Sequence, residues 1–306
     1  KAPRHPTRKY MKRHPHNSTD NEKNRCIVCN SGKTAPNKIG LSISNQVLFT
    51  CSDCSAVFLA PWSTGFNPEL YSYYGGRCSL APEDIYDPLN DIRYKKLLAG
   101  FSSMAPGRAI LDVGCGQGQF IKYANSHGWC SLGIELSAEA CGICRRFGVP
   151  VVQTDVYGLD PSEKKFDFIT SFEVLEHVTE PVRFIRRIEQ LLNPGGVFYL
   201  TTPNYASLDR LAMGRKWRVF HQEHAVYYTP TTIRELINRY TGLKIEHIST
   251  RNISTEAISA LLGHKPRIRK PFNACARPAE RMLRNRIETS AVLRALKASA
   301  NAILCF

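Results

Sequence analysis

The sequence predicts an α/β fold with a doubly wound, mostly parallel β-sheet and a small metal-binding module ahead of it. From Arg108 onward, short apolar runs of strand character alternate with segments of helical periodicity, which is typical of parallel strands joined by crossover helices. A glycine-rich turn, Gly114 to Gly118, follows the first of these runs. Two Cys-x-x-Cys pairs begin upstream at Cys26 and Cys51, a pattern that indicates metal binding.

Length and composition restrict the class of protein. A chain of 306 residues with 43% hydrophobic residues is long enough for one sizeable core and a small module. Charges interrupt every apolar run before it reaches the roughly 18 to 20 residues of a membrane span, so we expect a soluble or peripheral protein. The other cysteines are scattered, which suits a reducing, cytoplasmic compartment. Among them, Cys141 and Cys144 are interpreted as buried thiols.

Positive charge is concentrated at the two ends of the chain. Residues 1–25 carry a net charge of +6 and residues 264–306 a net charge of +8, in a chain of net charge +15. Basic tails can bind an anionic surface, RNA or membrane lipid, by counterion release, although solvated charge runs without such a partner are at least as common. Residues 1–24 have almost no large apolar side chain, and we expect them to be disordered.

Residues 25–62 form the expected metal-binding module. Cys26 and Cys29 make one knuckle, and Cys51 and Cys54 make a second one. Four thiolates form a closed tetrahedral site, and in a short β-rich ribbon this favours Zn2+ over iron. Because a closed site has no open position for water, the predicted role of the metal is structural: it stabilises a segment too short to form its own core.

The other elements follow in order along the chain. Residues 63–107 contain a connector rich in Tyr, Pro and Gly and then a helix, Glu83 to Met104. Residues 108–250 form the main domain, with strands expected at Ala109–Val113, Ser131–Glu135, Pro150–Thr154, Phe166–Phe172, Val197–Thr202 and Leu243–Ser249. Helices are expected between them, including Glu180–Leu192, which Asn193-Pro194-Gly195-Gly196 stops, and one that Thr229-Pro230 opens.

The glycine-rich turn predicts a site for a nucleotide-like ligand. Gly114, Gly116 and Gly118 let the backbone turn tightly and approach a ligand, while the following helix presents free N–H groups. The spacing differs from the Gly-x-Gly-x-x-Gly of dinucleotide binders, and Asp112 lies just before the turn. A carboxylate there would attract an ammonium group and repel a pyrophosphate.

Two further acidic residues lie at the ends of the next strands. Glu135 closes the second strand, where a carboxylate can accept from both ribose hydroxyls, and Asp155 follows the third, where it could meet an adenine amino group. Each residue alone would more often be a solvated loop or cap residue. Because the carboxyl ends of parallel strands share one edge of the sheet, three acids in register with the glycine turn predict one ligand crevice.

An ordered set of motifs carries a family resemblance. DVGCGQG, GIELS, FDFITSFEVLEHV, LLNPGGVFYLTTPN and HQEHAVYYTPTTIRELINRYTGLKIEHIS resemble the successive motifs of class I S-adenosylmethionine-dependent methyltransferases. The sequence is most similar to the group that acts on small molecules, sugars and glycolipid or polysaccharide intermediates, whose members often carry an N-terminal four-cysteine zinc ribbon. The resemblance implies a seven-stranded, Rossmann-like sheet. Residues 300–306 would be its last, antiparallel strand. Residues 251–299 would be a basic helical cap over the acceptor site, with a solvated helical face as the alternative.

The resemblance also implies roles for individual residues. Asp112 and the three glycines would hold the methionine part of S-adenosylmethionine, Glu135 the ribose and Asp155 the adenine. Glu173 and His177 would lie beside the sulfonium at the end of the fourth strand. For His177, a histidine that only starts a helix is an equal alternative.

A histidine-rich segment follows the fifth strand, where the family places acceptor-binding residues. His221, Glu223 and His224 concentrate proton-accepting groups there, near Trp217 and Tyr227. We expect His224, narrowly over His221, to be the general base for a hydroxyl acceptor. The same residues could bind zinc, but the spacing offers no fourth ligand. A surface loop whose histidines cap the next helix is the alternative interpretation.

The predicted function is in-line transfer of a methyl group from S-adenosylmethionine to a small-molecule, sugar, glycolipid or polysaccharide acceptor. The cofactor carries the reactivity, and the protein supplies alignment and desolvation. One alternative is a zinc-ribbon RNA methyltransferase, which the basic tails favour and the near-neutral middle of the chain disfavours. Another is a binding or regulatory protein that keeps the fold without turnover.

Overall fold

The structure is a computed structural model that describes residues 24–43, 45–61, 80–105, 107–250 and 303–305. The predicted disordered tail, most of the predicted connector and the predicted basic helical cap lie outside the described residues. Within the described ranges, no helix is both long and apolar enough to cross a membrane.

The first part of the chain folds as a small antiparallel sheet with the strands β1 (Thr34–Pro36), β2 (Ser42–Ile43), β3 (Gln46–Cys51) and β4 (Val57–Ala60). β3 pairs with the other three strands. All four residues of β4 are buried, although strands at one face of a small sheet usually alternate between buried and exposed residues. Both faces of β4 must therefore be covered by other parts of the molecule.

The larger part of the chain is the expected α/β domain. The further strands are β5 (Ala109–Val113), β6 (Cys130–Glu135), β7 (Val151–Gln153), β8 (Phe166–Phe172), β9 (Leu192–Thr201), β10 (Val226–Tyr227), β11 (His247–Ser249) and β12 (Ile303–Cys305). The helices are α1 (Pro82–Ile85), α2 (Pro88–Met104), α3 (Gln119–Ser126), α4 (Ala138–Arg146), α5 (Pro181–Leu191), α6 (Leu208–Met213) and α7 (Pro230–Tyr240).

The central sheet has the order β11-β12-β9-β8-β5-β6-β7. Strands β5 to β9 run parallel to one another, which confirms the predicted parallel α/β sheet. β12 is antiparallel to both β9 and β11. Because β7, β6, β5 and β8 are adjacent and parallel, the segments that follow their carboxyl ends meet at one edge of the sheet.

One predicted helix is wrong, because Glu83 to Met104 is not continuous. The chain leaves the helix at Tyr86, whose ψ is 131°, and re-enters it at Pro88. Proline has no N–H for the helix ladder, and its ring disfavours helical backbone at Asp87. At this break the Tyr86 hydroxyl donates to the carbonyl of Gln117 at 3.0 Å, so the break packs against the glycine turn.

Two predicted strands have different limits. β9 begins at Leu192 instead of Val197, because Leu192 already pairs with Phe166 on β8. The register then jumps so that Val197 faces Phe168, and the Asn-Pro-Gly-Gly segment forms an irregularity within the strand instead of a separate loop. The strand expected from Leu243 is formed only from His247.

Apolar side chains cover both faces of the sheet. On one face, Phe101 of α2 stacks on Phe168 of β8 with ring centroids 4.4 Å apart, and Trp129 meets Phe168 edge-on at 5.5 Å. On the other face, Ile185 and Ile188 of α5 belong to a core cluster that also contains residues of α7. Helices on both sides give the sheet the layered, doubly wound arrangement that the alternating sequence pattern predicts.

A strand that the sequence pattern did not indicate joins the two parts of the chain. β10, which lies between β9 and α7 in the sequence, pairs antiparallel with β4 of the N-terminal sheet. The hydrophobic cluster that contains Cys26, Cys51 and Cys54 also contains Val226 and Leu236. The N-terminal module therefore shares a continuous core with the α/β domain, and this core covers β4.

Candidate functional site

The glycine turn after β5 is held in place by Glu135. Gly114, Gly116 and Gly118 have φ values of 71°, 53° and 74°, which residues with a side chain rarely adopt. Glu135 Oε2 accepts a hydrogen bond from the Gly116 N–H at 2.9 Å. Its Oε1 accepts from the N–H groups of the next two residues at 2.8 and 2.9 Å. One carboxylate thus connects two strand ends, and Oε2 keeps a second lone pair for a ligand hydroxyl.

Asp112 lies inside the sheet and is only 2% exposed. The Thr170 hydroxyl of β8 donates to Asp112 Oδ1 at 2.7 Å. Burial raises the pKa of Asp112 to about 7, although the Thr170 hydrogen bond acts in the opposite direction, and the charge of Glu135 raises it further. The carboxyl group therefore exchanges its proton near neutral pH, where a nearby cation would favour the ionised form.

Asp155 lies at the same edge, after β7. Its Oδ1 accepts hydrogen bonds from the N–H groups of Tyr157 and Gly158 at 2.9 and 3.1 Å, so the side chain caps a short 3-10 turn. The capping role that the sequence left open as an alternative is thus present. Because the residue is exposed, it stays accessible to a ligand beside Glu135.

The end of β8 is strained. Glu173 follows the strand with a φ of 54°, a conformation that costs a residue with a side chain about 1 to 3 kcal/mol and is enriched at functional sites. Its N–H donates to the carbonyl of Thr201 on β9 at 2.9 Å. The turn that follows β8 therefore begins with a hydrogen bond to the neighbouring strand β9.

Sequence reasoning missed Glu176, which lies on this turn. The residue is 2% exposed, and its Oε2 accepts from the Thr202 hydroxyl at 3.0 Å. Burial, followed by the charge of Glu173, raises the pKa of Glu176 well above its ordinary value. A carboxylate in the apolar context VLEHV is the signal that could have indicated a buried acid.

The structure brings His177 and His224 together. Their ring centroids are 4.7 Å apart, and His177 Nδ1 donates to the carbonyl of Glu223 at 3.0 Å. Ligating atoms of Glu176, His177 and His224 all lie within 4.8 Å of one another. The histidine-rich segment after β9 thus packs against the end of β8, next to the edge that carries the glycine turn.

The three predicted catalytic residues have different environments. His221 is exposed, and its Nδ1 lies 3.6 Å from Glu223 Oε1. His224 is half-buried, and burial, followed by the neighbouring His177 and His221, lowers its pKa to about 3. In the described part of the chain, His224 Nδ1 is buried without a hydrogen-bond partner. His224 is therefore a neutral imidazole at physiological pH and can accept a proton. Trp217, which the sequence places near these residues, is a buried core residue.

The four cysteines of the module converge. Cys26 Sγ lies 3.5 Å from Cys54 Sγ, and Cys29 Sγ lies 3.6 Å from Cys51 Sγ. All four sulfur atoms lie within 4.8 Å of one another. Such separations are too long for disulfide bonds, which measure about 2.05 Å, and they suit a shared metal, since a tetrahedral site with metal–sulfur bonds of about 2.3 Å spaces its sulfurs about 3.8 Å apart.

Both knuckles have the same backbone design. Asn30 and Ser55 each follow the first cysteine of their pair by four residues, and both have positive φ values, 59° and 58°. Their N–H groups donate back to the carbonyls of Cys26 and Cys51 at 2.8 and 3.1 Å.

Outside the module, Cys144 of α4 is buried and donates to the carbonyl of Gly116 at 3.3 Å, in agreement with the expected buried thiol.

Comparison with known sequences identifies the kind of domain. A sequence model of a methyltransferase-domain family matches residues 90–248. The ubiquinone biosynthesis O-methyltransferase of Coxiella burnetii is 31% identical over 104 residues, which are 32% of this chain and 44% of that protein. The protein of the same name from Haemophilus ducreyi is 29% identical over 150 residues, 45% of this chain and 62% of that protein. The matches span about half the length of these curated relatives.

Solved structures show the same fold. The plantazolicin methyltransferase BpumL in complex with SAH superposes with a TM-score of 0.50 and 17% identity, over 78% of this chain and 88% of that chain. The related BamL structure gives a TM-score of 0.50 over 78% of this chain and 89% of its own. At this level of identity the likeness extends to the fold alone.

The buried Asp112 predicts a stability that depends on pH. Its pKa is about 7 in the folded chain and 3.8 as its ordinary value, so the folded state binds more protons between these values and its stability falls as pH rises through this window. Asp112→Asn keeps an oxygen acceptor for Thr170 and removes the titration. We expect the free energy of unfolding of the variant, relative to the wild type, to rise by about 4 kcal/mol between about pH 4 and pH 8, since each unit of pKa difference corresponds to about 1.4 kcal/mol.

Urea unfolding at several pH values measures this difference. Asp160→Asn is the control, because Asp160 is exposed and its carboxylate accepts locally from Ser162. Parallel pH curves for the Asp112 variant and the wild type would show that Asp112 does not titrate in this window.

Proposed function

Because the chain belongs to the methyltransferase-domain family, we propose that it transfers a methyl group from S-adenosylmethionine to a hydroxyl of a small-molecule, sugar or glycolipid acceptor. One observation carries the proposal: the glycine turn, Glu135, Asp155 and Glu173 lie at the carboxyl ends of four adjacent parallel strands. This edge is where open parallel sheets bind their ligands.

The residues at this edge fit the cofactor. Glu135 Oε2 retains acceptor capacity for ribose hydroxyls, and the exposed Asp155 lies one strand further along for the adenine amino group. The glycine turn leaves backbone close to the ligand. Asp112, whose pKa is about 7, becomes an ionised partner for the ammonium group, directly or through water, when that charge lowers its pKa.

The chemistry requires little of the protein beyond alignment and proton removal. When bound, S-adenosylmethionine supplies an electrophilic methyl group on a sulfonium. The acceptor oxygen forms the new carbon–oxygen bond as the carbon–sulfur bond breaks, and the hydroxyl proton passes to a base. Glu173 and His177 at the end of β8 line the place where the acceptor meets the methyl group.

We assign the base to His224. It is neutral above a pKa of about 3, so at physiological pH one of its two ring nitrogens carries no proton and can accept one. Its low basicity is offset because the hydroxyl loses its proton as the methyl–oxygen bond forms, when its acidity rises sharply. His221, which is exposed, and Glu223 would line the opening of the site to solvent.

The acceptor class is supported by the relatives and by the local environment. Curated relatives of this domain are named as O-methyltransferases of ubiquinone biosynthesis. The segment between β9 and α7, which carries His224, also carries the half-buried aromatic side chains of Tyr205 and Phe220. An acceptor with an apolar body and a hydroxyl group fits such a wall.

The decisive experiment has two stages. Calorimetry with S-adenosylmethionine and its demethylated product tests cofactor binding by the full chain. Incubation with methyl-labelled cofactor and fractionated cell extract then shows whether the label enters small molecules, glycolipid, RNA or protein. Absence of cofactor binding would refute the proposed function, and label found only in RNA would replace its acceptor class.

An RNA acceptor is the second candidate. A groove of about 910 Å³ lies between the first cysteine knuckle and α5, and its lining includes Arg25, Arg183, Arg186 and Arg187. These guanidinium groups are partly engaged within the protein, since Arg183 pairs with Glu180 at 3.0 Å and Arg187 donates to backbone carbonyls. The groove and the basic ends of the sequence favour an anionic partner, which salt-dependent binding of RNA would reveal.

We further propose that the four converging cysteines bind one structural Zn2+. Two knuckles of the same backbone design, with four sulfur atoms at the spacing of a tetrahedral site, support this assignment. The metal would hold together the loops of a small sheet that has few core residues of its own.

Glu135 is expected to be essential for cofactor binding. Glu135→Ala removes the acceptor of three backbone N–H groups as well as the proposed ribose contact, and we expect cofactor affinity to fall by about 10- to 100-fold. Glu163→Ala, an exposed acidic residue in a turn, is the matched control. Equal calorimetric affinities for the two variants would exclude the ribose assignment.

His224→Ala is expected to lower turnover by about 100-fold or more, the usual contribution of a general base, and to leave cofactor affinity unchanged. His127→Ala, an exposed histidine at the end of α3, serves as the control. Because the pKa of His224 is about 3, titration of His224 should cause no change in the turnover of the wild type between about pH 5 and pH 7. Near-normal turnover of the His224 variant would mean that proximity alone drives transfer.

Elemental analysis should find about one zinc per chain. Cys51→Ser removes one ligand, so the variant should lose the metal and the folding of the module. Cys130→Ser changes an exposed cysteine outside the cluster and should keep full occupancy. Full zinc content in the Cys51 variant would contradict a four-thiolate site.

A further inference from the structure

The segment that carries the candidate base is built onto the N-terminal module. On β10, Val226 and Tyr227 pair with Phe58 and Val57 of β4. The N–H of Leu59 donates to the carbonyl of Ala225 at 3.1 Å. Since Ala225 directly follows His224, the backbone that leaves the candidate base is hydrogen-bonded to the module.

A single hydroxyl then fixes the turn that contains both histidines. Tyr227, 1% exposed, accepts a hydrogen bond from the N–H of His221 at 3.2 Å and donates to the carbonyl of the same residue at 3.1 Å. The N–H of His224 donates to that carbonyl as well, at 3.2 Å. The residues His221 to His224 therefore form a closed turn, here called the histidine turn. The Tyr227 hydroxyl holds the first residue of this turn through its N–H and its carbonyl.

Side chains of the module also pack against the ring of Tyr227. Leu48, Val57 and Leu59 form one buried cluster with Trp217 and Tyr227. A second polar contact links the two parts, because the Tyr205 hydroxyl donates to Asn37 Oδ1 at 3.1 Å. The aromatic wall behind the histidine turn thus packs directly on β3 and β4.

The opposite end of the histidine turn rests on the α/β domain. His177, at the end of β8, donates to the carbonyl of Glu223, and its ring packs edge-on against His224. The histidine turn is therefore held between two supports, the strand end that carries Glu173 and the β4 edge of the module. Displacing either support moves His224 relative to the glycine turn.

The support on the module side is itself shaped by the cysteines. β3 ends at Cys51 and β4 begins at Val57, so the second knuckle is the turn of the β3–β4 hairpin. The carbonyl of Ser55 in this turn accepts from the Thr232 hydroxyl of α7 at 3.3 Å. Two of the four clustered cysteines, Cys51 and Cys54, therefore lie in the turn that connects β3 to the strand on which β10 pairs.

We propose that the β3–β4 hairpin, with the second cysteine knuckle as its turn, positions the histidine turn for catalysis, and that Tyr227 is the positioning residue that transmits this support. The inference rests on the proposed function, in which His224 is the base. It assigns to the module a role in aligning the acceptor side of the site, beyond stabilising its own fold. Tyr227 touches neither acceptor nor cofactor and acts through the backbone of His221.

Hydrogen exchange measured by mass spectrometry on the full, zinc-loaded chain tests this role without requiring turnover. Tyr227→Phe keeps the buried ring and removes the hydroxyl. We expect exchange of the amides of residues 220–224 to become about 10-fold faster, because one bridging hydrogen bond is lost, with no change in β5, β6 and β8. Tyr123→Phe on α3 is the matched control. Removing zinc with a chelator should accelerate exchange in the same peptide and in β4.

Activity gives the second readout, with the acceptor fraction that the wild type labels. Tyr227→Phe should lower the turnover number about 10- to 100-fold, the cost of a misplaced catalytic group, while the affinity for the demethylated cofactor product stays within about twofold of the wild type. Loss of affinity in parallel with turnover would overturn the positioning role, because the defect would then extend to the cofactor site.

The two hypotheses fail in different ways. Unchanged exchange of residues 220–224, in Tyr227→Phe or after zinc removal, would overturn the positioning role even if methyl transfer is established. Accelerated exchange in both samples, together with no binding of S-adenosylmethionine, would refute the proposed function and uphold the mechanical link between the module and the histidine turn.

Discussion

The candidate site depends on the carboxylate of Glu135. This group ends one strand and accepts the N–H of Gly116 in the turn of the neighbouring strand, so it fixes the distance between the two segments that a cofactor must bridge. A glycine turn alone has many accessible conformations. The hydrogen bond from Gly116 to Glu135 restricts these conformations, and the hydrogen bonds from the two residues after Glu135 hold the carboxylate in place. The turn is thereby ordered before a ligand binds.

Burial of ionisable groups distinguishes the two sides of the candidate site, the proposed cofactor side and the proposed acceptor side. On the cofactor side, burial raises the pKa of Asp112 to about 7, which makes its charge responsive to a cationic ligand. On the acceptor side, burial lowers the pKa of His224 to about 3 and keeps the imidazole neutral. Both shifts follow from the same cause, the cost of holding charge away from water, and they have opposite signs because one group is an acid and the other a base.

The module and the α/β domain form one hydrophobic core instead of two. Cys26 and Cys54 share a cluster with Leu236 of α7, and β10 adds a strand to the N-terminal sheet. A segment of this size gains little stability from its own apolar contacts. Packing on the domain provides the missing apolar contacts. The module in turn provides the edge strand β4, with which the chain between β9 and α7 pairs through β10.

Local patterns in the sequence determined much of this protein: the parallel α/β sheet, the limits of β5 and β8, the order of the acidic strand ends and the paired cysteines. Hydrophobic periodicity and turn residues determine secondary structure over a few neighbouring positions, so these signals can be recognised without the tertiary structure. Only the tertiary structure decided that the helix before β5 breaks at Tyr86, that Glu176 is buried beside Thr202, and that His224 meets His177. It also decided that the two-residue strand β10 belongs to the N-terminal sheet. Each of these depends on contacts between segments far apart in the chain, where the partner, and not the local sequence, supplies the hydrogen bond or the burial that selects the conformation.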